Sequence, residues 1–154
     1  MIIVIDIGNS TVVLSGIREE QTLFSGEVDT HREWGREEYT AALQPILRGV
    51  SCRGAIVSSV VPPVTQAVCG AVAALLGVEP MLVTAQSKTG LTLDLPEKEK
   101  VGRDRLVDAA WAASRYPLPA VTADLGTATT LNLILPGGVF AGGIICAGIQ
   151  TCLN

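Results

Sequence analysis

The stretch Asp6-Ile7-Gly8-Asn9-Ser10-Thr11 returns, little changed, as Asp124-Leu125-Gly126-Thr127-Ala128-Thr129, 118 positions later. Each copy closes an apolar, β-branched run (Ile2 to Ile5; Val121 and its neighbours) and leads into another strand-like run. One acid-glycine-hydroxyl turn between strands is commonplace. Two in one chain predict a duplicated domain that holds one ligand from both sides. Glycine lets the backbone turn tightly and approach a ligand, and the main-chain N–H groups and hydroxyls around it suit phosphate oxygens. An aspartate at the strand end suits a metal that screens phosphate charge. The pair therefore predicts a phosphate-handling cleft between related halves.

The 154 residues are 48% apolar, 17% charged and 4% aromatic, the make-up of a globular α/β chain with helices packed closely on a sheet. That length predicts one domain, or two small ones, with a real core. A net charge of −4 without a basic block predicts no nucleic-acid partner. It also predicts that a phosphate ligand arrives with a divalent cation. The amino terminus lacks a basic n-region and is interrupted by Asp6 and Asn9, so a strand is expected there and not a signal peptide. No stretch is long enough and free enough of proline or charge to span a membrane. Cys52, Cys69, Cys146 and Cys152 show neither C-x-x-C spacing nor histidine partners. They are expected to be buried, reduced thiols of a cytoplasmic protein, with no zinc.

The pattern predicts strands over 1–5, 11–18 and 21–28, with Glu19-Glu20 as a tight turn. Thr30 and Glu33 have capping-box spacing, which predicts a helix over 33–47 weakened late by Pro45. A strand at 54–57, a helix from Pro62-Pro63 to Leu76 stopped by Gly77, and a strand at 81–84 follow. Residues 87–100 read as loop and 102–116 as an amphipathic helix ended by Pro117. The opening then repeats, with strands at 120–125, 129–135 and 139–141, a Pro136-Gly137-Gly138 hairpin turn, and a helix starting at Ala147. The predicted domains are 1–117, and 118–154 as the first three strands and helix start of an incomplete second copy. A full second copy needs roughly a hundred residues more, so the chain is expected to be a fragment that on its own binds ATP poorly and turns over little or nothing.

These residues resemble one family, the type III pantothenate kinases of the actin-like ATPase superfamily, with its duplicated ribonuclease-H-like domains. Asp6-Ile7-Gly8-Asn9-Ser10 is similar to its first phosphate motif, and Ile56-Val57-Ser58-Ser59-Val60-Val61-Pro62-Pro63 to an internal signature. Lys88-Thr89-Gly90-Leu91 resembles the approach to the substrate loop, and Val101-Gly102-Arg103-Asp104-Arg105 the substrate and catalytic motif. Asp124 to Thr129 resembles the second phosphate motif, and Gly142-Gly143-Ile144 with Gly148 the segment after it. The ordered set runs from Met1 to Asn154.

The resemblance implies an α/β fold of ribonuclease-H-like, actin-like ATPase type: three antiparallel or mixed strands, alternating helix and strand, then the start of a duplicate. It implies ATP-dependent phosphorylation of pantothenate to 4′-phosphopantothenate, the step that opens coenzyme A biosynthesis. ATP with Mg2+ and a monovalent cation (K+ or NH4+) are the implied cofactors, in a homodimer when the protein is full length. Asp6, Ile7, Gly8, Asn9, Ser10, Thr11, Val12 and Val13 would wrap the ATP phosphates, with Asp6 near Mg2+ and Thr127 as a second ATP contact. Asp124 would bind the monovalent cation. Gly102, Arg103, Asp104 and Arg105 would meet the substrate, with Asp104 accepting its hydroxyl proton.

On the residues alone, Asp104 is equally a good first-turn residue for a helix dipole. Arg105 is either an oxyanion holder or a solvated or Asp108-paired helix arginine. His31 reads as a surface or capping residue, Trp34 and Trp111 as packing, and Glu97-Lys98-Glu99-Lys100 as a solvated loop. Three positions depart from the family pattern. Leu93-Asp94-Leu95-Pro96 stands where the family has Tyr-Asp-Asn-Pro, with its substrate-touching tyrosine. Arg103 replaces a small residue, which places a long cation beside Asp104. Cys146-Ala147 replaces Ala-Pro. Two rival readings share these motifs: a non-enzymatic accessory member of the family, and another actin-like small-molecule kinase. No G-x-x-x-x-G-K-[ST] or G-x-G-x-x-G sequence occurs.

Overall fold

The computed structural model describes residues 1–153. Asn154, where the expected second copy ends, lies outside them. The residues form two compact units that divide between Val83 and Thr84.

The first unit is a five-stranded sheet with two helices. β1 (Ile2–Ile7), β2 (Thr11–Arg18) and β3 (Gln21–Asp29) form an antiparallel meander, and β4 (Ala55–Ser59) and β5 (Pro80–Leu82) add in parallel, in the order β3-β2-β1-β4-β5. This is the ribonuclease-H-like order expected. Strand alternation puts Ile3, Ile5 and Ile7 on one face with Val12, Leu14 and Val57 of the neighbouring strands, all fully buried. α1 (Arg36–Leu47) covers that face with Tyr39, Leu43 and Leu47, and α2 (Pro62–Leu76) with Val64, Val68, Ala71 and Val72. Each such aliphatic side chain contributes about 1.5–3 kcal/mol when fully buried.

α2 follows its sequence signals, with proline in the first turn and Gly77 at φ 67° donating its N–H to Ala73 O at 2.9 Å. α1 begins three residues later than predicted. Its cap is Gly35, whose N–H donates to Glu38 Oε2 at 3.0 Å, while the Thr30 hydroxyl is taken by Gly8 O at 2.8 Å. The 30–33 and 35–38 pairs have the same spacing, and a tertiary hydrogen bond decides between them. His31 stacks on Trp34 at 3.9 Å, and its backbone N–H and C=O both bond the Tyr39 hydroxyl, at 2.9 and 3.0 Å. Burial raises the Tyr39 pKa above 10; the His31 hydrogen bond opposes this and the charge of Glu33 adds to it.

The second unit carries β6 (Thr92–Leu93), a 3₁₀ turn (Lys98–Lys100), α3 (Arg103–Arg115), β7 (Ala120–Leu125), β8 (Ala128–Leu135), β9 (Val139–Ala147) and α4 (Ile149–Cys152). β7, β8 and β9 form an antiparallel meander, and β6 pairs in parallel with β9, in the order β6-β9-β8-β7. The hairpin glycines Gly137 and Gly138 have φ of 80° and 75°, as a two-residue turn demands. Two expectations are corrected. Residues 87–100 are not all loop, since β6 lies among them. β9 continues six residues past Ala141, because a register shift between Asn132 and Ile134 absorbs the extra residue at Ala141-Gly142. α3 packs on β7 and β8 and buries Leu106, Ala109 and Ala112, so by packing it belongs to the second sheet.

Val121, Ala123 and Leu125 recur in β7 where Ile3, Ile5 and Ile7 stand in β1. The first set is fully buried, yet Val121 is 63% and Leu125 70% exposed. β1 is flanked by β2 and β4; β7 pairs, among the described residues, with β8 alone. The second sheet thus repeats the opening meander, and among the described residues the helices that touch it are α3 and α4. The thiols also depart from expectation: Cys52 and Cys69 are half-buried, but Cys146 and Cys152 are exposed. Burial and, secondarily, Glu79 raise the Cys69 pKa.

Candidate active site

The first turn lies between β1 and β2. Gly8 N–H donates to Thr11 O at 2.9 Å, and an added Cβ on Gly8 would meet that oxygen at 3.3 Å. Thr30 straps the turn from behind, its N–H to Ser10 O at 2.9 Å and its hydroxyl to Gly8 O. Arg32 Nη2 donates to Asn9 Oδ1 at 2.9 Å. Carbonyls that already accept hydrogen bonds present less negative potential to an incoming anion. The sequence marked Thr30 only as a helix cap and did not mark Arg32, since nothing local links either to the turn.

The second turn is one residue shorter. Ile7 pairs with Val12 across the first, and Leu125 with Thr129 across the second. Gly126 N–H donates to Ala128 O at 3.0 Å. Thr127 O accepts both Gly148 N–H, at 3.1 Å, and the Thr151 hydroxyl, at 3.0 Å. A Cβ on Gly148 would collide with the Gly126 and Thr127 carbonyls, so only glycine lets the segment after β9 seat against this turn.

Each of the two acids has a buried hydroxyl as a register partner on a neighbouring strand. Asp6 and Asp124 are exposed near their strand ends. The register partner of Asp6 on β4 is Ser58, and that of Asp124 on β8 is Thr130. Ser58 is 7% and Thr130 6% exposed, and neither hydroxyl oxygen has a hydrogen-bond partner. A carboxylate with a buried, unengaged hydroxyl beside it is a donor set suited to a hydrated cation. Among the described residues no three His, Cys, Asp or Glu side chains converge on a metal position. Magnesium in phosphate sites is held by one or two carboxylates and the phosphates themselves.

The head of α3 gathers Gly102, Asp104 and Arg105. Asp104 Oδ1 accepts the Arg105 N–H at 2.7 Å, satisfying one donor of the first helical turn. A Cβ on Gly102 would land on that same Oδ1. Arg103 turns the other way: its guanidinium donates to Val101 O at 3.0 Å and Glu99 O at 3.1 Å, with the Glu99 carboxylate at 3.9 Å. The long cation is thus anchored on the 3₁₀ turn, apart from the Asp104 contacts. Arg105 is half-buried, and its Nε donates to Asn132. Leu93 is buried in β6 opposite Phe140, and Leu95 lies against Gly142. Trp34 packs on the first core. Trp111, expected to pack, is 56% exposed, lies edge-on to Tyr116 at 5.5 Å, and lines a groove of about 620 Å³ with Val107, Val121 and Asp124.

The profile of a family described as type III pantothenate kinase matches residues 2–154. The chain belongs to that family. It is 32% identical to the type III pantothenate kinase of Finegoldia magna, with 97% of this chain and 59% of the relative covered. For the type III pantothenate kinase of Halalkalibacterium halodurans the values are 34%, 97% and 61%, and for that of Listeria monocytogenes 36%, 97% and 60%. The chain spans about three-fifths of the length of these curated relatives. Among solved structures it is similar to the ethanolamine utilization protein EutJ of Carboxydothermus hydrogenoformans (TM-score 0.55, 16% identity, 95% of this chain and 51% of that one). It is also similar to a Ppx/GppA phosphatase of Aquifex aeolicus (TM-score 0.52, 18% identity, 97% and 53%). These two likenesses concern the fold, which is that of the actin-like ATPases.

Proposed function

We propose that the protein transfers the γ-phosphoryl group of ATP to the primary alcohol of pantothenate, giving ADP and 4′-phosphopantothenate for coenzyme A synthesis. The observation that carries this reading is the head of α3, where Asp104 stands in the space that Gly102 leaves empty. Asp104 accepts the hydroxyl proton as the substrate oxygen bonds to the γ-phosphorus and the bond to the ADP oxygen breaks. Arg105 takes the substrate carboxylate. The backbone from Asp6 to Val13 and Thr127 holds phosphate oxygens, each turn in its own unit. Asp6 would hold Mg2+ together with the phosphates, and the ion would neutralise their charge. Asp124 with Thr130 would hold the monovalent cation. Residues 1–117 and 118–154 are the repeat units of the duplication, and the active form is a cytoplasmic homodimer.

An accessory, non-catalytic role is the second reading. Leu93 favours it, because it is packed into the second core at the position of the family's substrate-contacting tyrosine. Rescue of a host that lacks pantothenate kinase separates the two. Growth with the wild-type gene, together with the mass of 4′-phosphopantothenate in the extract, supports the kinase. Failure to rescue at normal expression supports the accessory role.

A further inference from the structure

The guanidinium of Arg105 is held by β8 and β9 directly and by β7 through Asn132. Its Nε donates to Asn132 Oδ1 at 2.6 Å. Asn132 Nδ2 donates in turn to Thr122 Oγ1 at 3.0 Å. The guanidinium carbon lies 5.8 Å from the centre of the Phe140 ring. Asn132 is fully buried, and Thr122 and Gly143 are its register partners on β7 and β9. A Cβ on Gly143 would stand 3.0 Å from Arg105 Nη2, so β9 passes close beside that nitrogen. Nη2 itself is buried with no hydrogen-bond partner.

A buried cationic N–H left unpaired costs more than a neutral one. The unpaired nitrogen therefore marks where an oxyanion binds, and the paired Nε marks how the group is aimed. The Thr122 hydroxyl accepts from the amide nitrogen, which leaves the amide oxygen for Arg105; a flipped amide would set its NH2 against the Nε–H. We propose that Asn132, keyed by Thr122, is a positioning residue that holds Arg105 with Nη2 toward the carboxylate of the alcohol substrate. This rests on the pantothenate-kinase reading above.

The test compares the full-length wild-type protein with its Asn132→Ala, Asn132→Asp and Thr122→Val variants, using two ligands, pantothenate and pantothenol, which has an alcohol in place of the carboxylate. Solvent exchange of the Arg105 Nε–H, read by NMR, reports the anchor without any ligand. Wild type should protect that proton and bind pantothenate at least about tenfold more tightly than pantothenol. Asn132→Ala should lose both properties while MgATP affinity stays level, Asn132→Asp should keep both, and Thr122→Val should fall between. A folded Asn132→Ala with unchanged protection and unchanged preference would overturn the proposal. If that variant does not fold, Thr122→Val decides, with unchanged protection overturning it. Wild type that binds neither compound would overturn the carboxylate assignment and the pantothenate reading together. Wild type that binds both equally would overturn the carboxylate assignment alone.

Discussion

The carboxylate of Asp104 occupies the place where a side chain on Gly102 would stand. A methyl group there must displace the acid, which then gives up its hydrogen bond to the Arg105 N–H, at a cost of about 1 kcal/mol. Gly102→Ala is expected to destabilise the chain by about that much. With Asp104→Ala in the background the clash is gone, so a double-mutant cycle read by urea unfolding should give a coupling of about 1 kcal/mol. Additive effects would show that the two positions do not compete for space.

The Thr30 hydroxyl reaches across 22 residues to the Gly8 carbonyl. Thr30→Val keeps the shape and leaves that carbonyl without its donor, at a cost of about 1 kcal/mol. Amide signals of Gly8, Asn9 and Ser10 should move in the variant, and MgATP should bind more weakly. Unmoved signals with unchanged binding would remove Thr30 from the support of the turn.

Glu19 and Glu20 turn the β2–β3 hairpin with φ of 50° and 66°. Left-handed conformations cost non-glycine residues about 1–2 kcal/mol each, and Asn-Gly suits this turn best. Replacing the pair with Asn-Gly should raise stability by about 1–2 kcal/mol. A lower melting temperature would contradict that account of the turn.

Tyr39 is buried with its hydroxyl bonded to the His31 backbone, and its pKa is raised above 10. The folded state therefore keeps its proton at pH values where the unfolded chain releases it. Its stability contribution is whole below pH 10 and falls as the pH rises from there through the folded-state pKa. Tyr39→Phe should flatten that alkaline loss while lowering stability at neutral pH by about 1 kcal/mol. An equally steep alkaline loss in Tyr39→Phe would assign it to another group.

Elements with local signals were legible in the sequence. Alternation in Ile2 to Ile7, the Pro62-Pro63 start and the Gly77 stop each act within a turn or a strand, as do the paired turns at Asp6 and Asp124. What was not legible is non-local. Thr30 left its expected cap for a carbonyl 22 residues away, and Arg105 found Asn132 across 27 residues. β6 has two residues and is a strand only because β9 lies beside it. The Gly142-Gly143 pair reads as a strand end, yet a bulge carries β9 through it. The unengaged hydroxyls of Ser58 and Thr130 take their meaning from register alone.

Pantothenate-dependent release of ADP, followed side by side in the full-length wild-type protein and its Asp104→Asn variant, tests the proposed chemistry most directly. Wild type should release ADP only when pantothenate is present. Asp104→Asn should lose at least about 100-fold in turnover, the usual worth of a positioned base, with MgATP affinity nearly unchanged. Turnover that survives in Asp104→Asn, or ADP release indifferent to pantothenate, would contradict the account.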